Sequence, residues 1–487
     1  MEFITQNPHP SSLLFAIRAI GYSFETAVAD IIDNSISASA KTIRIFSEPC
    51  GDPYFAFIDN GEGMDSECLK NALLLGSDRS KKQDSEKELG RYGLGLKSAS
   101  FSQCRTFTVV TKQGKSISSM SFSLDEVESS GTWRTAILDK NEYRFVPEFS
   151  RLMEYQSGTL VVWQNFDKIK NNTSNFEASF RKYVKMAKSH VEYVFHRFYD
   201  DVEIFFNEAR IEKRDPFLLD SYGRQQEGRG VSVSIDGHRV EITPYSLPYA
   251  NALTEDEKKL LGNPGPGHFY DEQGIYLYRN RRLIAWGGWF RVEARSELNK
   301  LARVRVDIPS AMDDIWTLDV KKSSAKIPDK IRDQIRLAVK DSVFRSRGAV
   351  VGPSERESLA EHKVWIRERK KQNQVSYIIN RENPTYMALK SSLTGRELSC
   401  FESFVTELED YLPKHQIHID QAADMQIVNG CQREENIVFD ITKLANIIKG
   451  LDDEEDQEHY LDRFLTYENY SHLKKYRLKI LEEVRNG

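Results

Sequence analysis

The sequence predicts an α+β protein built from three successive parts. Before residue 346, helical patterns with apolar residues three or four apart alternate with strand patterns of apolar and polar residues. From residue 346 onward the pattern is mostly helical and heavily charged. The length of 487 residues favours two to four domains. We therefore expect a first domain over residues 1–175, a linker helix with a second α+β domain over 176–345, and a helical module over 346–487.

The composition is that of a folded protein without a strong overall charge. Apolar residues make up 40% and aromatic residues 11%, enough to fill a core in each domain. The net charge of -5 means that any nucleic-acid contact must come from a local patch or a partner. Five cysteines without a CxxC pair argue against a disulfide framework. This cysteine usage fits a reducing cytoplasm, and with no signal-peptide pattern and no long apolar window we expect no membrane association.

The first part begins with helix patterns and continues with strands. Ser23 is a good N-cap for the second helix, because its hydroxyl can accept from a free N–H of the first turn. The predicted order is a helix, a capped helix, two strands, a charged loop with glycines, a helix start, three strands and a long helix, at 11–21, 24–37, 42–46, 54–59, 76–93, 95–102, 106–111, 116–123, 159–165 and 175–196.

The rest of the chain has weaker patterns. Strands are predicted at 202–206, 231–235, 275–278, 303–308 and 317–320, a linker at 348–353 and a final helix at 460–485. Residues 361–371 carry a net charge of +3, and Trp365 and Tyr377 flank the basic cluster. This cluster can contact phosphates, but a solvated helix face is the favoured interpretation.

The first chemical motif lies on the second predicted helix, at Asp30 and Asn34. The two residues are four apart, so they share one helix face. A carboxylate there can orient and deprotonate an attacking water, and a carboxamide oxygen is a neutral ligand for Mg²⁺. The same spacing is common on helices whose polar face has no chemical role.

The second motif places Asp59 at the end of an apolar strand, before two glycines and Met64. Asp59 can accept a hydrogen bond from an exocyclic amine such as that of adenine. Gly61 and Gly63 let the backbone approach a flat ring, because no Cβ stands in the way. Asn-Gly and Gly-x-Gly are also ordinary turn signals, so a turn and a binding loop are equally open here.

The third motif is a glycine-rich run before a helix start, formed by Gly90, Gly93, Gly95, Lys97 and Ser98. Backbone N–H groups at a helix start cradle phosphates, and the Lys97 ammonium or the Ser98 hydroxyl can add to that cradle. The run is not a Walker loop, and it lacks the preceding strand of a dinucleotide-binding loop.

A Gly158-Thr159 pair then opens a strand, and the four motifs in this order resemble the GHKL ATPase superfamily. That superfamily includes gyrase B, MutL-type mismatch-repair proteins, MORC proteins, the ninety-kilodalton heat-shock chaperones and histidine kinases. The resemblance covers roughly residues 10–170 and is closest to the MORC and MutL branches. The run from Gly90 to Ser100 is similar to the MORC lid motif nearly residue for residue.

The resemblance implies an HSP90-like α/β sandwich, with helices on one face of a mixed sheet and ATP under a lid at residues 76–95. By position it implies that Asn34 is the Mg²⁺ ligand and that Asp59 binds the adenine amine, supported through a water by Thr159. Met64 would pack on the adenine ring. The implied phosphate-binding residues are Gly90, Gly93 and Gly95, with Lys97 nearby.

One position departs from the superfamily, whose ATPases usually carry Glu as the general base where this chain has Asp30. The side chain is shorter by one methylene, and general-base catalysis depends on geometry. The resemblance therefore implies slow hydrolysis, with a scaffold that binds ATP without hydrolysing it as the alternative. A smaller departure is Ser37, where MutL relatives usually have Asp.

The second part resembles the transducer domain of MutL and MORC proteins. The lysine that such a domain sends to the γ-phosphate would be Lys326, with Lys321 and Lys322 as rivals and a basic surface loop as the alternative. The layout of Asp307 and Asp319-x-Lys321 also fits a metal-dependent nuclease with a regulatory ATPase module, which ranks lower.

In this family, ATP would order the lid and the second domain and favour a homodimer of the N-terminal regions. Hydrolysis would then release that state. The resemblance thus implies a slow conformational switch that acts on DNA, with a nuclease or helicase as partner. Genome maintenance or defence against foreign DNA is the setting that the family analogy implies.

Overall fold

The computed structural model describes residues 9–19, 22–74, 95–219, 226–249, 252–265, 267–312, 316, 327–351, 364–371, 374–417, 437–449, 454–465 and 471–485. By packing, the chain separates into two compact units, Met1–Val350 and Val351–Gly487. The first unit contains two β-sheets and their helices.

The first sheet is a mixed sheet whose described strands are β1 (Thr42–Glu48), β2 (Tyr54–Asp59), β3 (Thr106–Gln113), β4 (Ser116–Ser123), β5 (Ala136–Ile137), β6 (Ser157–Gln164), β7 (Glu203–Phe206) and β8 (Ala209–Arg210). Their spatial order is β5-β4-β3-β6-β2-β1-β7-β8. β1 and β7 run parallel, and the other neighbouring pairs run antiparallel. Aromatic and β-branched residues dominate β2 and β3, as a half-buried pleated surface favours.

The helices of this part are α1 (Pro10–Ala19), α2 (Phe24–Ser37), α3 (Ser66–Leu73), α4 (Gly95–Gln103), α5 (Leu124–Ser130), α6 (Lys140–Tyr143), α7 (Phe149–Leu152), α8 (Asp167–Asn171) and α9 (Phe176–Val194). The largest hydrophobic cluster joins α1, α2, α4 and α9 to one face of the sheet. The short helices α6 and α7 cover the other face. Ser23 caps α2 by accepting from the N–H of Thr26, which confirms the predicted start of this helix.

The second sheet contains β9 (Gln226–Glu227), β10 (Val231–Ile235), β11 (His238–Ser246), β12 (Gly274–Arg279), β13 (Arg282–Ala285) and β14 (Ala302–Ile308). Its order is β10-β11-β14-β12-β13, and β9 pairs with β11. The helices of this part are α10 (Glu255–Leu260), α11 (His268–Asp271) and α12 (Asp329–Val351). α12 packs on one face through apolar residues such as Ile331 and Ile335. On the other face, Tyr276 and Tyr278 pack against Tyr193 of α9. Because α9 also contacts α2, it lies between the two sheets.

The second unit contains the hairpin of β15 (Trp365–Lys371) and β16 (Gln374–Ile379) and the helices α13 (Pro384–Ser392), α14 (Gly395–Asp410), α15 (Ile437–Lys449), α16 (Glu454–Phe464) and α17 (Arg477–Arg485). α15, α16 and α17 share a core that includes Leu444, Leu461 and Ile480. Short 3-10 helices elsewhere in the chain cover His196–Phe198, Glu297–Asn299, Ser310–Met312 and Ser471–Tyr476.

Three predicted elements differ from the structure. The helix face predicted for the basic cluster at 361–371 is wrong, because Trp365–Lys371 forms a strand paired with β16. The single helix predicted at 460–485 is also wrong, since α16 ends at Phe464 and α17 begins at Arg477. α12 continues through Gly348 into the predicted linker. The loop predicted at 76–93 and the strand predicted at 317–320 lie outside the described residues.

Within the described residues, no single helix is long and apolar enough to cross a membrane. The pair of α1 and α2, bent by 107°, passes by combined length and composition alone.

Candidate nucleotide site

Asp59 ends β2 and is buried, with 6% of the residue exposed. Its Oδ1 accepts hydrogen bonds from the backbone N–H groups of Gly61, at 2.9 Å, and Thr159, at 3.2 Å. Its Oδ2 accepts the hydroxyl of Ser35 on α2 at 2.9 Å. The β2–β6 register sets Asp59 opposite Thr159, which brings the backbone of β6 to the carboxylate. Groups from α2, the turn after β2 and β6 therefore fix this side chain.

The electrostatics of Asp59 leave room for a ligand. Burial raises the pKa of the carboxyl above its usual value, while the three donors oppose that rise. An ionised carboxylate has about four lone-pair sites, two on each oxygen. Among the described residues, Oδ1 receives two donors and Oδ2 receives one. Oδ2 therefore keeps the capacity to accept from one further N–H group.

The turn after β2 requires glycine at two positions. A Cβ on Gly61 would lie 2.6 Å from the carbonyl oxygen of Ala38. Gly63 has φ of +69°, and a Cβ there would lie 2.2 Å from the carbonyl oxygen of Lys112. The turn therefore packs directly against the end of α2 and against β3, with no room for a Cβ at either glycine. The backbone N–H groups of this segment are thereby directed to fixed partners, as the bond from Gly61 to Asp59 illustrates.

Met64 and Thr159 sit on either side of one threonine. The N–H of Met64 donates to Oγ1 of Thr111 at 2.7 Å. The same Oγ1 lies 3.4 Å from Oγ1 of Thr159. The Met64 side chain is partly buried against the main core. Thr159 thus supports Asp59 through its own backbone N–H, a direct contact, and the water and ring contacts predicted for these two residues stay predictions.

Asp30 lies on α2 and is 7% exposed. Its Oδ1 lies 3.2 Å from Nη2 of Arg282, which belongs to β13 of the second sheet. The hydroxyl of Tyr22 is hydrogen-bonded to Asp30 and also to Ser98 of α4. Burial, followed by the negative charge of Asp30, raises the pKa of Tyr22, so its hydroxyl stays protonated and donates to the carboxylate. The predicted base is therefore held by groups from outside α2.

Asn34 is exposed one turn further along α2. Its Oδ1 lies 4.0 Å from the position that a Cβ on Gly95, the first residue of α4, would occupy. The predicted Mg²⁺ ligand and the predicted phosphate-binding helix start are thus neighbours. This is the arrangement that a Mg²⁺ ion bound to phosphate needs, because such an ion combines few protein oxygens with phosphate oxygens.

Lys97 is 2% exposed on α4, and its ammonium donates to the carbonyl oxygen of Leu74. Burial lowers the pKa of Lys97 to about 8. The ammonium therefore joins α4 to the end of the described segment after α3. Its predicted place beside the phosphates stays a prediction, as does that of the Ser98 hydroxyl, which bonds Tyr22.

Several predicted residues lie outside the described part of the chain, namely Gly90, Gly93, Asp319, Lys321, Lys322 and Lys326. Asp307, the first residue of the nuclease pattern, is described on β14. Its carboxylate is ion-paired with Arg197 and Arg305. A metal ion there would have to displace two arginines. Within the described residues, no group of three or more His, Cys, Asp or Glu is arranged to hold a metal ion.

Sequence reasoning missed four residues that the structure places in the site: Tyr22, Ser35, Thr111 and Arg282. Each acts on a predicted residue through tertiary contact, so no local spacing identifies it. Ser35 follows Asn34 directly, and Arg282 lies in the Arg-Asn-Arg-Arg run of the second part. The sequence positions of Ser35 and Arg282 do not indicate that these residues contact Asp59 and Asp30.

Comparison with known proteins finds similarity to one ATPase family in the first part of the chain. Residues 22–159 match the family described as "Histidine kinase-, DNA gyrase B-, and HSP90-like ATPase". The Mus musculus protein "ATPase MORC2B" is 34% identical over 109 residues, covering 22% of this chain and 11% of the relative. The Homo sapiens "MORC family CW-type zinc finger protein 1" is 32% identical over 128 residues, covering 25% and 12%. The matches thus span a small fraction of both relatives.

A solved structure described as "Crystal Structure of N terminal domain of a DNA repair protein" also matches this chain. Its TM-score is 0.42 at 15% identity, covering 67% of this chain and 96% of that one.

The match to the ATPase family contains Asp30, Asn34 and Asp59. Residues 22–159 therefore form a GHKL-type ATPase domain, and the predicted α+β fold class is confirmed.

Proposed function

We propose that this chain binds Mg-ATP through its GHKL-type ATPase domain and hydrolyses it slowly. The observation that carries the proposal is Asp59, a buried carboxylate held by three donors and able to accept from one more. Burying a charged group is costly unless its partners are complete, and such groups cluster at functional sites. The exocyclic amine of adenine supplies the missing donor.

The other residues divide the chemistry between them. Asn34 would offer its exposed Oδ1 to Mg²⁺ beside the start of α4, whose first N–H groups would bind the phosphates. The ion neutralises phosphate charge when it is bound. Asp30 would orient the attacking water and accept its proton. Because an aspartate reaches less far than a glutamate, the proposed turnover is slow.

Titration calorimetry of the full chain with ATP and Mg²⁺ tests the binding step. We expect wild type to bind and Asp59→Asn to weaken binding at least about 100-fold, since a charged hydrogen-bond acceptor becomes a donor. Asp65→Asn is the matched control, because Asp65 is an exposed N-cap whose capping bond an asparagine keeps. Equal affinity of wild type and Asp59→Asn would overturn the proposal.

The proposal extends to a conformational switch. ATP would order the lid at residues 76–95 and favour a homodimer of the N-terminal regions, and hydrolysis would release it. The family match supports this step. Sedimentation of the full chain with a non-hydrolysable ATP analogue checks it. A doubled mass with analogue, absent with ADP or in Asp59→Asn, is expected, and an unchanged mass argues against dimerisation.

The hairpin of β15 and β16 supports a DNA contact. β15 has four basic residues and one acidic residue, so it carries a net charge of +3 in a chain of net charge -5. Trp365 and Tyr377 are 36% and 40% exposed, and Arg367 pairs with Tyr377 across the hairpin. Basic groups contact phosphates, and exposed aromatic rings stack on unpaired bases. We therefore include DNA, preferentially single-stranded, as a partner, with a nuclease or helicase acting beside it.

Fluorescence anisotropy with labelled single-stranded and duplex DNA tests this contact. The variant Arg367→Gln, Arg369→Gln, Lys371→Gln should weaken binding about 10-fold or more and lower the salt dependence, because fewer counterions are released. The control Arg181→Gln, Lys182→Gln, Lys185→Gln removes the same charge from the exposed face of α9. Equal loss in both variants would mean a general charge effect and would remove the hairpin from the proposal.

We place the protein in the cytoplasm. The support is the state of its cysteines, since the described ones, Cys50, Cys68, Cys104 and Cys400, are all unbridged. Microscopy of the tagged full chain checks this, and a signal confined to an oxidising compartment would contradict it.

A further inference from the structure

Arg282 joins the second sheet to the helix that carries the proposed base. It is the first residue of β13 and is 4% exposed. Its Nη2 lies 3.2 Å from Oδ1 of Asp30, and its Nε lies 2.8 Å from Oδ1 of Asp33. Asp30 and Asp33 are three apart on α2, so one guanidinium spans both carboxylates on the same helix face.

The pairing is buried on both sides. The side chains of Arg282, Asp30 and Asp33 are 5%, 8% and 3% exposed. Two like charges on one buried helix face repel each other, and a cation between them removes that repulsion. The cation comes from the second sheet, so the placement of these carboxylates depends on where β13 lies.

The adenine-binding part of the site is independent of this arginine. The described partners of Asp59 are Ser35, Gly61 and Thr159, which all belong to the N-terminal part around the first sheet. A change at Arg282 should therefore leave the binding of adenine intact. The same change should alter the position of the Asp30 carboxylate, whose side chain is one methylene shorter than the usual glutamate.

We propose that Arg282 is a positioning residue that holds the Asp30 carboxylate in its working orientation and thereby makes ATP hydrolysis, but not ATP binding, depend on the placement of the second sheet. The proposal rests on the proposed function, because it assigns Asp30 the role of base. Arg282 acts through Asp30 and needs no contact with the nucleotide.

Steady-state turnover and ATP affinity of the full chain separate this role from a purely structural one. Arg282→Met should lower kcat about 100-fold, the scale of general-base catalysis, while the Kd for ATP changes less than about 2-fold. Arg282→Lys restores one charge and should recover part of kcat. Arg281→Met is the matched control, because it removes the neighbouring half-exposed arginine, which pairs with Asp201 and not with Asp30. Its kcat should stay near that of wild type.

The outcomes are distinct. If Arg281→Met and Arg282→Met lose kcat equally, the loss reflects the stability of the second sheet and the proposal is wrong. If wild type turns over and Arg282→Met keeps or raises kcat, the proposal for Arg282 fails while the proposed function stands. If wild type binds ATP without turnover, hydrolysis and the role of Arg282 both fall. Loss of ATP binding in Arg282→Met also overturns the proposed role of Arg282, since the adenine pocket should not depend on this residue.

Discussion

Ser35 donates its hydroxyl to Oδ2 of Asp59 at 2.9 Å, across 24 residues of sequence. The contact links the end of β2 to α2, the helix that also carries Asp30 and Asn34. The group that would bind adenine is therefore tied directly to the helix that carries the groups that would act on the phosphates. A ligand bound at Asp59 is thereby placed relative to the base.

Ser35→Ala should weaken ATP binding about 10-fold or more, because removal of one hydrogen bond to a charged acceptor costs about 1.5–3 kcal/mol. The carboxylate loses its α2 donor and keeps its two backbone donors. Titration calorimetry measures the effect. Ser129→Ala, at an exposed serine of α5, is the control and should bind like wild type. Equal affinities for wild type and Ser35→Ala would show that this bond does not organise the site.

Asp59→Asn should shift the preference from ATP towards inosine triphosphate. An asparagine can accept from Gly61 and Thr159 through its oxygen and donate to Ser35 through its amide. That amide then opposes the amino group of adenine and suits the oxo group of hypoxanthine. We expect the ratio of the two affinities to change at least about 10-fold in favour of inosine triphosphate. Competition binding of both nucleotides measures it, and an unchanged ratio would mean that Asp59 does not contact the base.

Gly63→Ala should lower the free energy of unfolding by about 3 kcal/mol or more, because strain at positive φ adds to a clash. A Cβ at this position would lie 2.2 Å from the carbonyl of Lys112. Gly51→Ala is the matched control, since Gly51 has φ of +64° but open space around it, and should cost about 1 kcal/mol. Urea unfolding compares the two variants. A similar loss in both would show that the close approach of β3 is not tight.

His196 should make the protein sensitive to mild acid. Burial, with Arg197 and Arg305 nearby, lowers the pKa of this imidazole from 6.5 to about 3, and its Nε2 is hydrogen-bonded to the hydroxyl of Tyr278 at 2.8 Å. As pH falls below 6.5 the unfolded chain binds a proton that the folded chain does not, so stability is lost between pH 6.5 and 3.

The full shift corresponds to on the order of 5 kcal/mol. His196→Gln should flatten the dependence of the free energy of unfolding on pH, measured by urea unfolding from about pH 7.5 to 4.5. His9→Gln, at an exposed histidine, should not. Parallel pH curves for wild type and His196→Gln would contradict the assignment.

Local patterns predicted much of the site and its elements. α2 begins and ends where its cap and periodicity place it, and Asp59 ends β2 as the apolar run predicts. The glycines after β2 also mark a real close approach. These features depend on neighbours in sequence, which is why one sequence is enough to predict them.

Tertiary contacts could not be predicted in the same way. Arg282 meets Asp30 across 252 residues, and no periodicity indicates which of the neighbouring arginines contacts Asp30. β15 was predicted as a helix face because its charges dominate the pattern, whereas pairing with β16 decides its structure. The break between α16 and α17 likewise follows from both helices packing on α15.

Steady-state hydrolysis of Mg-ATP by wild type beside Asp30→Asn tests the central claim most directly. The account predicts slow but measurable turnover by wild type and a loss of at least about 100-fold in Asp30→Asn, with the Kd for ATP unchanged. Equal turnover by the two proteins would show that Asp30 is not the base. Binding of ATP by wild type without any turnover would show that the domain is a nucleotide-gated scaffold.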